Sequence, residues 1–326
     1  MQRDLVIGID LGGTHMQVGI VSPDGTILQR DGARTLAQEG PDAVINRIAA
    51  TIRRVAESAS FDLARIAGVG IGAPGAIDPE TGIVLEAPNL GWYDINISKA
   101  LSEHLDAVPV LVDNDVNVAV LGENTFGAGN RARNVLGVWV GTGIGGGIIL
   151  DGALFRGGMG TAGEIGQTTL LPDLPPGQEK MEQHCSRKFL TLQIEQALAR
   201  GETSCISNLA ADSERGITAS HIARAYEQND ELVVGIVNRG ADLLGMSIAN
   251  AVTLLSLPLV LLGGGLTESM GEAYLRRVSG AMRRHIFPKS LADRIEVRAT
   301  TLQDNAGLLG AAMLALEHTG LDPTQP

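Results

Sequence analysis

Three stretches hold side chains whose types and spacing can do chemistry. In VLVDNDVNVAVLGE, the residues Asp113, Asn114 and Asp115 stand where an apolar strand pattern hands over to a helical one. A carboxylate at that junction, Asp115, can accept a hydrogen bond from a substrate hydroxyl and take its proton as a phosphoryl group is transferred. The helix dipole lowers a carboxylate's basicity there, but positioning and charge stabilisation carry most of the catalysis in that reaction class. Asn114 can donate to and accept from neighbouring hydroxyls, whereas Asp113 reads as the structural, helix-capping member of the trio. In GMGTAGEIGQTTL, Glu164 is the one carboxylate among glycines and small side chains, with Gln167 three residues on. On its own this segment is either a loop with an incidental acid or a carboxylate presented to a ligand.

The third stretch is DLGGT. Asp10 closes an apolar strand, where a carboxylate is unfavourable unless water or a cation meets it. Gly12 and Gly13 let backbone N–H groups converge and Thr14 adds a hydroxyl. Such a nest suits phosphate oxygens, with Asp10 able to hold Mg²⁺ through water. A second turn, GTGIGGG, offers Gly141, Thr142 and Gly143. It lacks the lysine of a P-loop and runs into a strand rather than a helix, so neither a P-loop nor a Rossmann assignment fits. Gly263, Gly264 and Gly265 follow another strand, and their missing side chains would let a flat ring lie on backbone. Each turn alone reads equally as a tight hairpin; three of them ending buried strands point to a nucleotide.

The elements that must position these groups follow from apolar periodicity. LVIGID and MQVGIV read as strands joined by the first glycine turn, and SPDG gives a hairpin turn into TILQR. Val44, Ile48, Ile52 and Val55 have helical spacing after Pro41. IAGVGIGAPGAI returns to a strand, Ile97, Leu101 and Leu105 mark a helix, and VPVLVDND is another strand. The order argues for layered α/β architecture. A repeat is visible: VIGIDLGGTHMQVGIVSPDG and VLGVWVGTGIGGGIILDG share strand, glycine turn, strand and Asp-Gly turn, one unit opening each half of the chain. Between the halves' closing elements lie the proline-rich LLPDLPPGQEK and a mainly helical stretch from about residue 182 to 255. LVLLGGG, YLRRVSGAMRRHI and IEVRAT then read as strand, basic-faced helix and strand. AGLLGAAMLALEH is a helix whose small side chains suit close packing, and the tail TGLDPTQP is expected to fray.

Composition limits the alternatives. The chain has 326 residues, enough for two medium domains. Its 42 glycines are clustered rather than periodic, which excludes collagen and points to backbone-lined loops. A net charge of −12 disfavours a nucleic-acid surface. Cys185 and Cys205 are the two cysteines, with no Cys-x-x-Cys, so neither a disulfide framework nor a cysteine zinc site is indicated. Asp4 and the early glycines do not suit a signal-peptide core, and no long uninterrupted apolar run suits a membrane span. The expectation is a cytoplasmic protein with neither membrane nor nucleic-acid partners.

DLGGT, GIGAPGAID, APNLGW, LVDNDVNVAVLGE, GTGIGGGII, GTAGEIG and LLGGG together, in this order and spacing, resemble the ROK family of bacterial sugar kinases and repressors, within the actin-like ATPase superfamily. The resemblance runs through nearly the whole chain. It implies two actin-like (ribonuclease H-like) α/β ATPase domains facing a central cleft: residues 1–113 with about 304–320 as the smaller, 114–303 as the larger with a helical insertion, and 321–326 as a tail. It implies transfer of the γ-phosphoryl group of ATP, with Mg²⁺, to the 6-hydroxyl of a hexose, with Asp115 as base. It further implies that Asn114, Glu164, Gln167, Glu182, Asn89 and the loop Gly72, Ala73, Pro74 and Gly75 serve the sugar. Asp10, Gly12, Gly13, Thr14, Gly141, Thr142, Gly143, Gly263, Gly264 and Gly265 serve nucleotide and cation, in a homodimer. APNLGW favours glucose; N-acetylglucosamine, N-acetylmannosamine, mannose and fructose are the alternatives, and a non-catalytic sugar sensor is the reading from another class. The family's repressors add an N-terminal helix-turn-helix domain. Here the phosphate hairpin begins at Leu5, so a kinase is expected over a repressor. The family commonly writes GEIGH, its histidine serving sugar and a structural zinc, followed by a cysteine triplet. This chain has GEIGQ and no triplet, so no structural zinc is expected, and the choice of sugar is what the change puts in question.

Overall fold

The computed structural model describes residues 3–321 and 323. It divides into two compact units, and the chain passes between them more than once. Among the described residues, the first comprises those up to Arg131, the segment Leu154–Ala162, and those from Asp304 onward; the second comprises Ala132–Ala153 and Gly163–Gln303. The expected tail falls partly, at 322 and 324–326, outside the described residues.

The first unit opens with β1 (Leu5–Leu11), β2 (His15–Val21) and β3 (Ile27–Arg34), then α1 (Pro41–Ser58) and β4 (Ile66–Ala73). A small antiparallel sheet of β5 (Ala76–Asp78), β6 (Ile83–Ala87) and β7 (Trp92–Asn96) follows, then α2 (Ile97–Glu103), β8 (Val110–Asn114) and α3 (Asp115–Phe126). The main sheet has the order β3-β2-β1-β4-β8, with antiparallel pairing in the β1–β2–β3 meander and parallel pairing from β1 to β8. Every residue of β4 is buried, as a strand covered on both faces must be.

The second unit repeats this plan. It holds β9 (Val135–Val140), β10 (Ile144–Leu150), β11 (Ala153–Leu154), α4 (Glu182–Cys185), α5 (Arg187–Ala199), α6 (Ile206–Leu209), α7 (Ala219–Glu227), α8 (Glu231–Leu255), β12 (Leu259–Gly263), α9 (Gly265–His285, kinked at Gly271) and β13 (Glu296–Ala299). Its sheet order is β11-β10-β9-β12-β13: again a hairpin, then two parallel strands. α8 is long and apolar enough to meet the length and hydropathy of a membrane span, which the sequence reading did not anticipate. Val233, Val237, Leu244, Ile248 and Val252 lie buried in the second unit's core, which explains its composition without a bilayer.

The chain ends in α10 (Ala306–Thr319), back in the first unit. Its small residues allow backbone approach that side chains would forbid. A methyl group at Gly70 would collide with the carbonyl of Ala311, and one at Gly310 with the carbonyl of Val118. Through these contacts α10 lies against both β4 and α3, which places α3 in the first unit. The boundary expected after residue 113 therefore falls at Arg131/Ala132.

Candidate active site

In the first unit the candidate residues converge at the C-terminal ends of adjacent strands. Asp10 pairs in register with Gly72, and Gly72 with Asp113; Ala73 then pairs with Asn114. Carboxyl ends of parallel strands are where open α/β sheets receive ligands. Asp10 is only partly exposed, and burial, aided by the nearby charge of Asp304, pushes its pKa up to about 6. Among the described residues it has no hydrogen-bond or ion-pair partner. The first turn of α10 leans over it: a methyl group at Gly307 would lie 2.7 Å from its carboxyl carbon. A half-buried, unpaired carboxylate with a second acid nearby suits a hydrated divalent cation.

The glycine turn beside Asp10 is held from behind. The Gly12 N–H donates to the His15 carbonyl at 3.0 Å, the buried Thr35 hydroxyl donates to the Gly12 carbonyl at 2.6 Å, and the Thr35 N–H donates to the Thr14 carbonyl at 2.8 Å. These bonds consume carbonyl oxygens and leave the N–H groups of Gly13 and Thr14 without a protein acceptor among the described residues, the arrangement an anion nest needs. The backbone oxygen of Asn89 stands 3.1 Å from where a Gly13 methyl group would be, so Asn89 meets this turn.

At the β8–α3 junction the residue that caps the helix is Asn114, correcting the expectation that Asp113 would do so. Its side-chain oxygen accepts from the N–H groups of Val116 at 2.9 Å and Asn117 at 3.2 Å, and its NH₂ donates to the Gly75 carbonyl at 3.1 Å. That leaves Asp115 as the first helical residue, partly exposed, one of its oxygens accepting the Val116 N–H at 2.9 Å. Gly75 (φ 100°) could be no other residue, because a side chain there would strike the backbone of Glu86 and Ala87. Ala73 and Pro74 are buried, so what they offer a ligand is backbone and not side chain.

The second unit holds the other carboxylates. Glu182, at the start of α4, accepts the Ile144 N–H at 2.8 Å, directly behind the second glycine turn, and crowds Gly143 so closely that a methyl group there would collide with it. Glu164 precedes a short 3₁₀ turn and is exposed; the surrounding protein, with the charge of Glu182 added, raises its pKa. Two carboxylates that repel one another are natural acceptors for hydroxyl donors. Gln167 offers less than expected, since its oxygen already accepts Lys180 Nζ at 2.8 Å. Thr142 accepts a hydrogen bond from Arg187 Nη2 at 2.7 Å. At the third glycine run, Gly264 (φ 89°) caps α9 against the backbone of Val140, while Gly265 faces open space. The zinc-relevant residues are dispersed in role. Cys185 is buried, its thiol pushed up to about 12 by that burial, and the His184 ring bonds the Gln178 carbonyl at 2.7 Å.

Two arginines escaped the sequence reading. Arg187 follows MEQHCS, and Arg156 forms a partly buried ion pair with Asp113 at 2.5 Å. For Arg156 the available signal was a cation next to the glycines of RGGMG; Arg187 has no such local signal.

A family model described as the ROK family matches residues 6–318. A glucokinase of Thermotoga maritima is 33% identical over 325 residues, covering 98% of this chain and 100% of that protein. A glucokinase of Streptomyces coelicolor is 33% identical over 324 residues, 96% of this chain and 98% of its own. Among solved structures, a ROK family glucokinase from Streptomyces griseus in complex with glucose and AMPPNP matches with a TM-score of 0.82 and 32% identity, covering 96% of this chain and 99% of that one.

Proposed function

The chain belongs to the ROK family and is a sugar kinase, and we propose that it transfers the γ-phosphoryl group of ATP to the 6-hydroxyl of a hexose, glucose before its relatives. The observation that carries the residue assignment is the capping of α3 by Asn114, which sets Asp115 as the first helical residue, partly exposed, beside the row Asp10, Gly72, Asp113.

In this reading Asp115 accepts the hydrogen bond of the 6-hydroxyl and takes its proton as the sugar oxygen bonds to the γ-phosphorus. The bond from that phosphorus to the β–γ bridging oxygen breaks, and ADP leaves with the electron pair. The NH₂ of Asn114, the loop Gly72–Gly75, Glu164, Glu182 and the NH₂ of Gln167 hold sugar hydroxyls. The N–H groups of Gly13 and Thr14 receive phosphate oxygens; Gly141–Gly143 and Gly263–Gly265 receive the nucleoside end, with Gly265 presenting bare backbone. Asp10 would hold Mg²⁺, which supplies charge neutralisation at the phosphates. Cytoplasmic location, a homodimer and the absence of a structural zinc belong to the same proposal. Elemental analysis of protein purified without chelator should find well under one zinc per chain.

The test is Asp115→Asn, which keeps size and hydrogen bonding but removes the proton acceptor. The kcat for glucose should fall by about 10²-fold or more with little change in sugar affinity. A variant with near-wild-type kcat and altered stability would return Asp115 to a structural role. A panel of glucose, mannose, fructose, N-acetylglucosamine and N-acetylmannosamine, followed by ADP release, ranks the substrates; no sugar-dependent turnover on any of them would overturn the assignment.

A further inference from the structure

The segment Leu154–Ala162 packs in the first unit, although the chain on both sides of it belongs to the second. Its fastening is the ion pair in which Arg156 Nε donates to Asp113 Oδ2 at 2.5 Å. Asp113 is 2% exposed, and its other oxygen is also committed: Oδ1 accepts the Asn114 N–H at 2.7 Å and Asn117 Nδ2 at 2.8 Å. A buried carboxylate filled in this way fixes the peptide from which Asn114 and Asp115 project. Among the described residues, Arg156 is the cation paired with it.

The same arginine governs a second stretch. The Ala162 N–H donates to the Arg156 carbonyl at 3.1 Å, so residues 156–162 form a loop closed at its base, with Gly157 (φ 69°) and Gly160 (φ 72°) making its bends. The closed loop presents the Arg156 side chain from within the first unit. Through its side chain, Arg156 stands one ion pair and two residues from Asp115.

We infer that Arg156 is a positioning residue for phosphoryl transfer, fixing the strand end from which the base Asp115 and its neighbour Asn114 project. The inference rests on the roles proposed above for Asp115 and Asn114. A planar guanidinium bound through Nε sets direction as well as charge, which a lysine ammonium cannot do. Its side chain is 33% exposed, so small solutes can reach the position.

The experiment compares wild type, Arg156→Ala and Arg156→Lys in a coupled assay with separate glucose and ATP titrations. Arg156→Ala should lower kcat/KM for glucose by about 10- to 100-fold, through both constants, while KM for ATP stays within about two-fold. Millimolar guanidinium chloride, far below denaturing levels, should restore part of kcat. Arg156→Lys, which still neutralises Asp113, should fold and fall between the two. If folded Arg156→Ala keeps wild-type constants per active site, the positioning role is wrong. If Arg156→Ala does not fold, Arg156→Lys decides: wild-type constants make the pair purely structural, and a raised glucose KM with reduced kcat sustains the inference. Wild-type protein inert toward every hexose would instead sink the kinase assignment, a separate outcome visible in the same assay.

Discussion

The two glycine turns occupy the same place in sheets of the same order, yet they are armed differently. Aligned strand for strand, Gly8 corresponds to Gly137, Gly12 to Gly141, and Asp10 to Trp139. In the first turn the side chain at that position is a half-buried carboxylate with a raised pKa. In the second it is an indole, lying against Gly263 so closely that a methyl group there would come within 2.9 Å of Trp139. The second turn takes its carboxylate from elsewhere, as Glu182 bonded to the Ile144 N–H, and takes a cation from Arg187. One backbone device thus carries two different sets of side chains. In the proposed reading the strand supplies the cradle, and the residue two before the first turn glycine sets its charge.

The sharpest way to break this comparison is to remove the charge that distinguishes the turns. Asp10→Asn should lower kcat by about 10²-fold or more, because it removes the carboxylate proposed to hold the cation at the phosphates. Trp139→Phe, the matching change in the second turn, should stay within about three-fold, since a neutral ring is retained. Initial rates over a Mg²⁺ titration would separate them. Equal losses from both would mean that the two turns do the same work.

A smaller effect is expected where the second turn borrows its acid. Gly143 has no positive φ to preserve, so alanine there meets only the Glu182 carboxylate. That side chain must swing away and give up the 2.8 Å bond from the Ile144 N–H. KM for glucose should rise about 10-fold, with KM for ATP less affected. A change confined to ATP would assign Glu182 to the nucleotide.

The comparison also marks how far the sequence could be read. Strands, glycine turns and the repeat between the halves were legible, because apolar periodicity and glycine punctuation are local signals. The membership of α3 in the first unit was not. It depends on Gly310 meeting the Val118 carbonyl and Gly122 meeting the Ala306 carbonyl, across nearly two hundred residues of chain. For the same reason Asp113 could not be given its partner, since Arg156 lies 43 residues away. Among three polar residues in a row the sequence pointed to Asp113 as the cap, whereas hydrogen bonding to Gly75 helps hold Asn114 in that place.

Stability should record the Asp10 charge with the opposite sign to activity. Its folded pKa, raised from 3.8 to about 6, means the native state binds this proton more tightly than the unfolded chain does. The carboxylate is therefore destabilising above about pH 6, and the penalty disappears as pH falls below 3.8. Asp10→Asn should stabilise metal-free protein at pH 7.5 by up to about 3 kcal/mol, less where solvent screens the charge. Denaturant melts at pH 7.5 and at pH 4 should show that gain shrinking toward acid, and saturating Mg²⁺ should narrow it at pH 7.5. A pH-independent difference would mean that burial of the charge is not what separates the turns.

The smallest effect is expected at Arg187. Its guanidinium donates to the hydroxyl of Thr142, an exposed side chain, and its backbone N–H donates to the Gly141 carbonyl at 3.0 Å. Substitution by methionine keeps the backbone bond and most of the apolar stem while removing the charge. A hydrogen bond from a cation to an exposed neutral acceptor contributes on the order of 1 kcal/mol, so KM for ATP should rise about three- to five-fold with kcat nearly unchanged. Such a result would leave Arg187 as the brace of the second turn, the counterpart of Thr35 in the first. A loss near 10²-fold in kcat would be too large for a brace and would place the guanidinium on the transferred phosphate, arming the second turn with a charge of its own. Because Thr142→Ala removes the same hydrogen bond from the other side, the double variant decides between these. Equal losses in single and double variants fit a brace, and a further loss on removing Arg187 from the Thr142→Ala background fits direct contact with the nucleotide.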